Sequence, residues 1–409
     1  MNSKRYELLP FVGPPASLPL WWLFARLPFG TAAALWSALL VATLAIVLVL
    51  ALRCSAIPVA FPTLLAAALA SLGFGPITSD IALGQVALPA FACALVAFAS
   101  LPKTLAGSAL ATLGAALQPN LALVLLSQVR RKRALGAFGI AVVAFVALTA
   151  WASGTHGFIG YLDVLRAHGN AERLSLIQIT PAAIAYGFRA TPPVATVIGG
   201  IVSVTALIVW IAFSRGASAF GRFVFACAIL PFVLPFFHEH DLLVVFAAAI
   251  YAVARVERAF ASIAICAALF AGIDWLGLAQ RPDGTVQSLL LAIAALLAYA
   301  VLRGDLRPRD YVLPALPLVL LAAAGFAAGF HPAPIWPDAM RGFGAFATGA
   351  SASSIWAAEQ RATGLLQPNA FWALLRCCSL LGCALVAWAT VRASSRCPER
   401  SKIASPARA

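Results

Sequence analysis

Apolar stretches of about 15 to 23 residues recur along the chain, each ended by Gly, Pro or charge, the signature of membrane-spanning helices. They fall at 30–52, 57–75, 85–101, 134–152, 192–213, 221–237, 241–254, 259–279, 286–302, 311–330 and 369–391. A further pair, 104–117 and 119–129, is broken at Gln118-Pro119. Proline removes a backbone donor and clashes with the preceding turn, so the pair predicts two short helices. With Lys103 at one end and Arg130, Arg131, Lys132 and Arg133 at the other, it reads as a hairpin that enters the bilayer and returns to the same side. Residues 14–27, carrying Trp21 and Trp22, and 157–168, where Phe158, Ile159, Leu162 and Leu165 oppose Asp163, Arg166 and His168, predict helices lying along the membrane surface.

Composition narrows the picture to one class. Hydrophobic residues make up 62% of the 409 and charged residues 10%, where a soluble chain has about a quarter charged. Too few polar side chains remain to cover a water-facing surface. The expected fold is therefore an all-α integral membrane protein, a polytopic bundle of about eleven spans.

The net charge of +14 would suggest nucleic acid in a soluble protein, but here the placement of the charges explains it. Arg53, Lys103, the 130–133 cluster, Arg215, Arg222, Arg255, Arg258, Arg303, Arg307, Arg309, Arg392, Arg396, Arg400, Lys402 and Arg408 share one face with few acids. That face carries the whole surplus and is assigned to the cytoplasm, the C-terminal tail included. No nucleic-acid partner is needed. The longer loops, 76–84, 153–191, 280–285 and 331–368, then lie outside, so chemistry is expected there. Of the eight cysteines none falls in an outside loop and none forms CxxC, so buried thiols are expected, without disulfides or a metal cluster.

Four segments in order carry a resemblance. FVGPPASLPLWWLFARLPFGTAAALW is similar to the aromatic-Pro-Pro juxtamembrane helix of polyprenol-dependent glycosyltransferases, and LGQVALPAFACALVAFA to their Gly-Gln at the outer end of a span. AGSALATLGAALQPNLALVLLSQVRRKR resembles their glycine-rich hairpin, and PFFHEHDLLVVFAAAIY their later Pro…His stretch. Together they cover roughly residues 6–255 and resemble glycosyltransferase family 87. The resemblance implies the C-type glycosyltransferase fold, with a membrane module over 1–255, accessory helices over 256–391 and a basic tail over 392–409. It implies inverting transfer of a hexose or pentose from a polyprenyl-phosphate carrier to a lipid or glycan acceptor on the extracytoplasmic side, without cofactor or nucleotide sugar. The family's common occurrence and the alanine-rich composition suggest a bacterial inner membrane. Members carry a catalytic Asp in a first outside loop, and this sequence begins just downstream of that point, as an N-terminally truncated chain would. It also has Gln118 where relatives commonly have Lys. A lipid-linked-sugar flippase and an inactive family member are the rival readings.

Inverting transfer needs a base for the acceptor hydroxyl and donors for the departing phosphate. Asp80, four residues before Gly84-Gln85 at an outer boundary, is the candidate base; it could equally cap a helix. His238-Glu239-His240-Asp241 is the densest polar cluster on the outer face, and His238 and His240 are candidates for carrier phosphate or sugar. A His-x-His pair without a third ligand is a weak metal motif, so no metal is expected. Arg189 and Arg376 are candidate phosphate donors, since a planar guanidinium offers paired N–H groups; snorkelling is the alternative. Gln85, Gln118 and Asn120 could line the cavity or join helices by hydrogen bonds. Tyr161, His168, Asn170, Glu172 and Ser175 could cover an acceptor cleft or belong to a plain connecting loop.

Overall fold

The computed structural model describes residues 13–100, 104–331, 354, 358 and 360–395. Lys103, Cys397 and the basic tail beyond 395 lie outside the described residues. In chain order the helices are α1 (Leu18–Phe24), α2 (Phe29–Cys54), α3 (Phe61–Leu72), α4 (Gly75–Leu83), α5 (Ala87–Ser100), α6 (Thr104–Leu117), α7 (Pro119–Ala122), α8 (Lys132–Glu172), α9 (Pro181–Gly187), α10 (Pro192–Phe213), α11 (Ala219–Val233), α12 (Val245–Arg255), α13 (Ala261–Gly272), α14 (Trp275–Gln280), α15 (Thr285–Arg303), α16 (Ala315–Ala328) and α17 (Ala370–Ser394). The protein is all-helical, as its hydropathy predicts, because lipid leaves every backbone polar group to be satisfied within its own segment.

Among the described residues, six helices are long and apolar enough to cross a membrane: α2, α8, α10, α15 and α16 with their leading 3-10 turns, and α17. A seventh is added if α3 and α4, bent by 72°, form one broken span. The expectation of eleven counted the shorter helices α3, α5, α11, α12 and α13 as well. Several of these are cut short by breakers in their own sequence. The stretch 259–279 divides at Ile273-Asp274, where Asp274 Oδ1 takes the Gly277 N–H at 2.6 Å and starts α14. The stretch 221–237 stops as a helix at Val233, two residues short of Pro235.

The expected hairpin over 104–129 is a break at Gln118, which adopts an extended conformation between α6 and α7. A 3-10 segment, Leu123–Gln128, then leads back. Its far end joins the basic face: Gln128 Nε2 donates to the Ala219 carbonyl at 2.9 Å and Arg130 to the Ser214 carbonyl at 3.1 Å. The same end of the bundle holds Arg303, which donates to the carbonyls of Val253, Ala254 and Val256 at 2.6–3.3 Å. Arg258 pairs with Asp310 there at 3.4 Å, and Arg392 lies over Phe260 and Trp388. The described basic helix ends thus gather on one face.

The helix expected over 157–168 is present as the second arm of α8, which resumes beyond a non-helical break at Gly154 and runs to Glu172. Gly154 has φ 69°, a left-handed conformation that costs other residues about 1–2 kcal/mol, so the glycine sets where the helix turns. The core is one large buried cluster, drawn from both the 1–255 and the 256–391 stretches. At its centre α11, α12, α13 and α17 pack on one another.

Candidate functional site

The polar centre lies at the end of the bundle opposite the basic face, where four segments meet. The first is the α4–α5 turn. Gly84 closes α4 in the left-handed region, φ 64°, and Trp36 Nε1 from α2 holds its carbonyl at 2.9 Å. The reversal lets Asp80, fully buried, reach over the start of α5 and accept the Leu88 N–H at 3.3 Å with Oδ2. The capping role read from the sequence is therefore present, and Asp80 Oδ1 is left buried without a partner. Gln85 sits half-buried on the same turn.

The second segment is the Gln118 corner and the third is the turn His240–Val244, which packs against α4. Asp241 joins them. Its Oδ1 accepts a hydrogen bond from Gln118 Nε2 and its Oδ2 the His238 N–H at 3.0 Å. His240 Nε2 faces Asp241 Oδ1 at 3.7 Å. The rings of His238 and His240 stack, centroids 5.2 Å apart. Burial holds His240 down at about 4, against the upward pull of Asp241 and with His238 adding to the fall; it is neutral at pH 7.

The fourth segment is the outer end of α8 and the loop behind it. Glu172, buried, takes His168 at 3.2 Å and faces His238 at 3.7 Å. Gln178 Oε1 accepts the Phe237 N–H at 2.8 Å, which turns its amide N–H₂ towards His238 Nε2 at 3.1 Å. The same ring nitrogen thus lies between the Gln178 amide and the Glu172 carboxylate. Behind the cluster Glu239 shares a hydrogen bond with Asp274. Burial raises Glu239 well above the carboxylate range, and the neighbouring Asp274 pushes the same way.

Of the residues singled out in the sequence, Asp80, Gln118, His238 and His240 come together around Asp241. Arg376 is near but differently engaged: fully buried in α17, its Nη1 donates to the carbonyls of Ser175 and Gln178 at 3.3 and 2.9 Å. It holds the loop that orients His238. Arg189 is exposed at the end of α9, in the left-handed region at φ 69°. Asn120 is half-buried one residue past the Pro119 corner. Asp241, Gln178 and Asp274 had no assigned role in the sequence reading. Asp241 had a signal, the carboxylate directly after the His-x-His pair; Gln178 and Asp274 had none, since their partners lie 60 residues or a whole helix pair away.

A bundle of apolar helices with a buried acid, amide and imidazole centre at one end is the architecture of a membrane enzyme or carrier. A model of glycosyltransferase family 87 matches residues 11–235, more than half of the chain. The protein belongs to glycosyltransferase family 87 and is a membrane glycosyltransferase. Comparison with curated proteins and with solved structures gave no match. The matched stretch contains Asp80, Gln118, Glu172 and Gln178 and ends three residues before His238.

Proposed function

We propose that this glycosyltransferase moves a hexose or pentose, in the manner of a mannosyltransferase, from a polyprenyl-phosphate carrier to an extracytoplasmic lipid or glycan acceptor, with inversion. The observation that carries the reading is the gathering of Asp80, Gln118, His238, His240 and Asp241 at the end of the bundle away from the basic helix ends. If the basic face is cytoplasmic, as in a bacterial inner membrane, the centre lies at the outer leaflet, where a lipid-linked sugar can enter sideways.

In this reading Asp80 is the base. Its Oδ1, unpartnered, takes the proton of the acceptor hydroxyl as that oxygen attacks the anomeric carbon, and the prenyl phosphate leaves from the opposite face. His238 and His240, both partly exposed, face the phosphate; Gln118, Gln85 and Asn120 line the sugar pocket. Arg376 acts through the Ser175–Gln178 loop, and Arg189 meets the headgroup region.

The test is transfer of radiolabelled sugar from a synthetic prenyl-phosphate sugar in membranes containing the full chain. Removing a general base costs about 10²–10⁴-fold in rate, so Asp80→Asn should fall into that range with donor binding kept. Unchanged transfer by Asp80→Asn would remove Asp80 from the mechanism. Movement of intact donor across the bilayer without bond cleavage would replace the transferase by a flippase.

A further inference from the structure

Among the described residues, the charges of the polar centre do not by themselves suit an anionic donor. Asp80, Asp241 and Glu172 are buried, and the ion pairs described for Asp241 and Glu172 are to histidines. Arg166, Arg173, Arg189, Arg281 and Arg361 are exposed, while the buried Arg376 is turned to backbone carbonyls. A phosphate brought into such a site meets carboxylates, and like charges this close repel. A divalent cation between the carboxylate and the phosphate reverses the sign of that interaction.

We propose that His238, His240 and Asp241 form a divalent-cation site, and that the cation, in the transferase reading above on which this second step rests, holds the donor phosphate. One nitrogen of each imidazole and one Asp241 oxygen all lie within 4.8 Å of one another, close enough for small side-chain rotations to converge on ligand distances near 2.0–2.2 Å. His238 Nε2 lies 3.1 Å from the Gln178 amide nitrogen and 3.7 Å from Glu172 Oε2, so its ring is held in place from two sides. Asp241 Oδ1 accepts one hydrogen bond, from Gln118, and a carboxylate oxygen has a second lone pair to give. The two histidines are 21% and 16% exposed and the carboxylate 1%, so the cation would sit on a buried anion with its open positions facing outward. Two imidazoles and a carboxylate suit Zn²⁺ or Mn²⁺ better than Mg²⁺ or Ca²⁺, which take oxygen ligands.

Co²⁺ is the probe, because its visible d–d bands report N/O coordination directly. The full chain in lipid nanodiscs, stripped with chelator, should take up one Co²⁺ with bands of that kind. His240→Gln and Asp241→Asn should each weaken binding at least tenfold, with size-exclusion profiles showing that both fold; His240, being partly exposed, is the safer of the two. His168→Gln, in the same cluster but outside the donor set, should bind Co²⁺ like the parent. Absence of the bands, or equal binding by parent and His240→Gln, overturns the site, as does equal loss in His168→Gln. Adding a short prenyl phosphate should shift the bands; unshifted bands overturn the phosphate role. A chain that binds Co²⁺ in this way yet transfers no sugar overturns the transferase reading and leaves the cation site standing.

Discussion

Helices α10 and α12 are both apolar in the sequence and take opposite positions in the protein. In α12 every residue from Val245 to Val253 is buried. In α10 only Ala195, Ala206 and Trp210 are, while Val197, Ile201, Val204 and Ile208 stand about 60% exposed. Hydropathy alone would bury α10 first; side-chain size follows the observed order instead, since α12 and its neighbour α13 are rich in alanine and α10 in valine and isoleucine. Lipid tails are as apolar as any side chain, so helices in a membrane associate where small residues let backbones approach and surfaces interlock. Small apolar positions mark the centre, and large branched ones mark the rim.

The strongest way to break that distinction is to add bulk where backbones touch. A Cβ at Gly382 of α17 would overlap the backbone nitrogen of Ala271 in α13, whereas Gly200 of α10 has nothing within 4 Å. Gly382→Leu should leave no folded, monodisperse protein in detergent, and Gly200→Leu should purify as the parent does. Comparable yields of the two would show that α13 and α17 are not in contact.

Next in size is Arg376, the one large charge in the buried centre, with Nε and Nη2 unpartnered. A buried cation is costly, but its two bonds tie α17 to the loop carrying Gln178. Breaking such an arrangement costs about 3–5 kcal/mol. Arg376→Ala should therefore lower the thermal midpoint strongly and, through Gln178 and His238, lower transfer as well. Arg189→Ala, at an exposed position, should leave the midpoint where it was. Ala248→Leu in α12 is milder: overpacking a filled core costs about 1–3 kcal/mol, and the side chain has lipid on no side.

These contrasts also show what the sequence reveals. Span positions follow from hydropathy, because the bilayer demands apolar length, and the Gln118-Pro119 break follows from proline's missing donor. The second arm of α8 follows as well, from the amphipathic pattern over 157–168; what does not follow is its docking, where Glu172 faces His238 across 66 positions. In the site, Asp80 was visible because an acid at a membrane boundary is rare. Its surroundings were not, since Gln118 and Asp241 are 123 positions apart and only packing of α4 on the His240–Val244 turn joins them. Arg376 illustrates the limit most sharply: an intramembrane arginine signals importance, yet its partners are backbone carbonyls, which no sequence pattern announces.

The smallest effect is the most informative about the rim. Ile201 is 62% exposed on α10. In water, removing such a side chain from a surface changes the apolar area that folding leaves uncovered; in a bilayer the lost contacts are with acyl chains, present in the folded and the dissociated states alike. Ile201→Ala should shift stability in nanodiscs by less than about 0.5 kcal/mol, well below the shift for Ala248→Leu measured in the same way. A loss as large as that of Ala248→Leu would mean that the α10 face is packed against protein, with a second copy of the chain as the simplest occupant. Side-chain size would then no longer separate centre from rim, and the exposed valines and isoleucines of α10 would have to be reassigned to an interface.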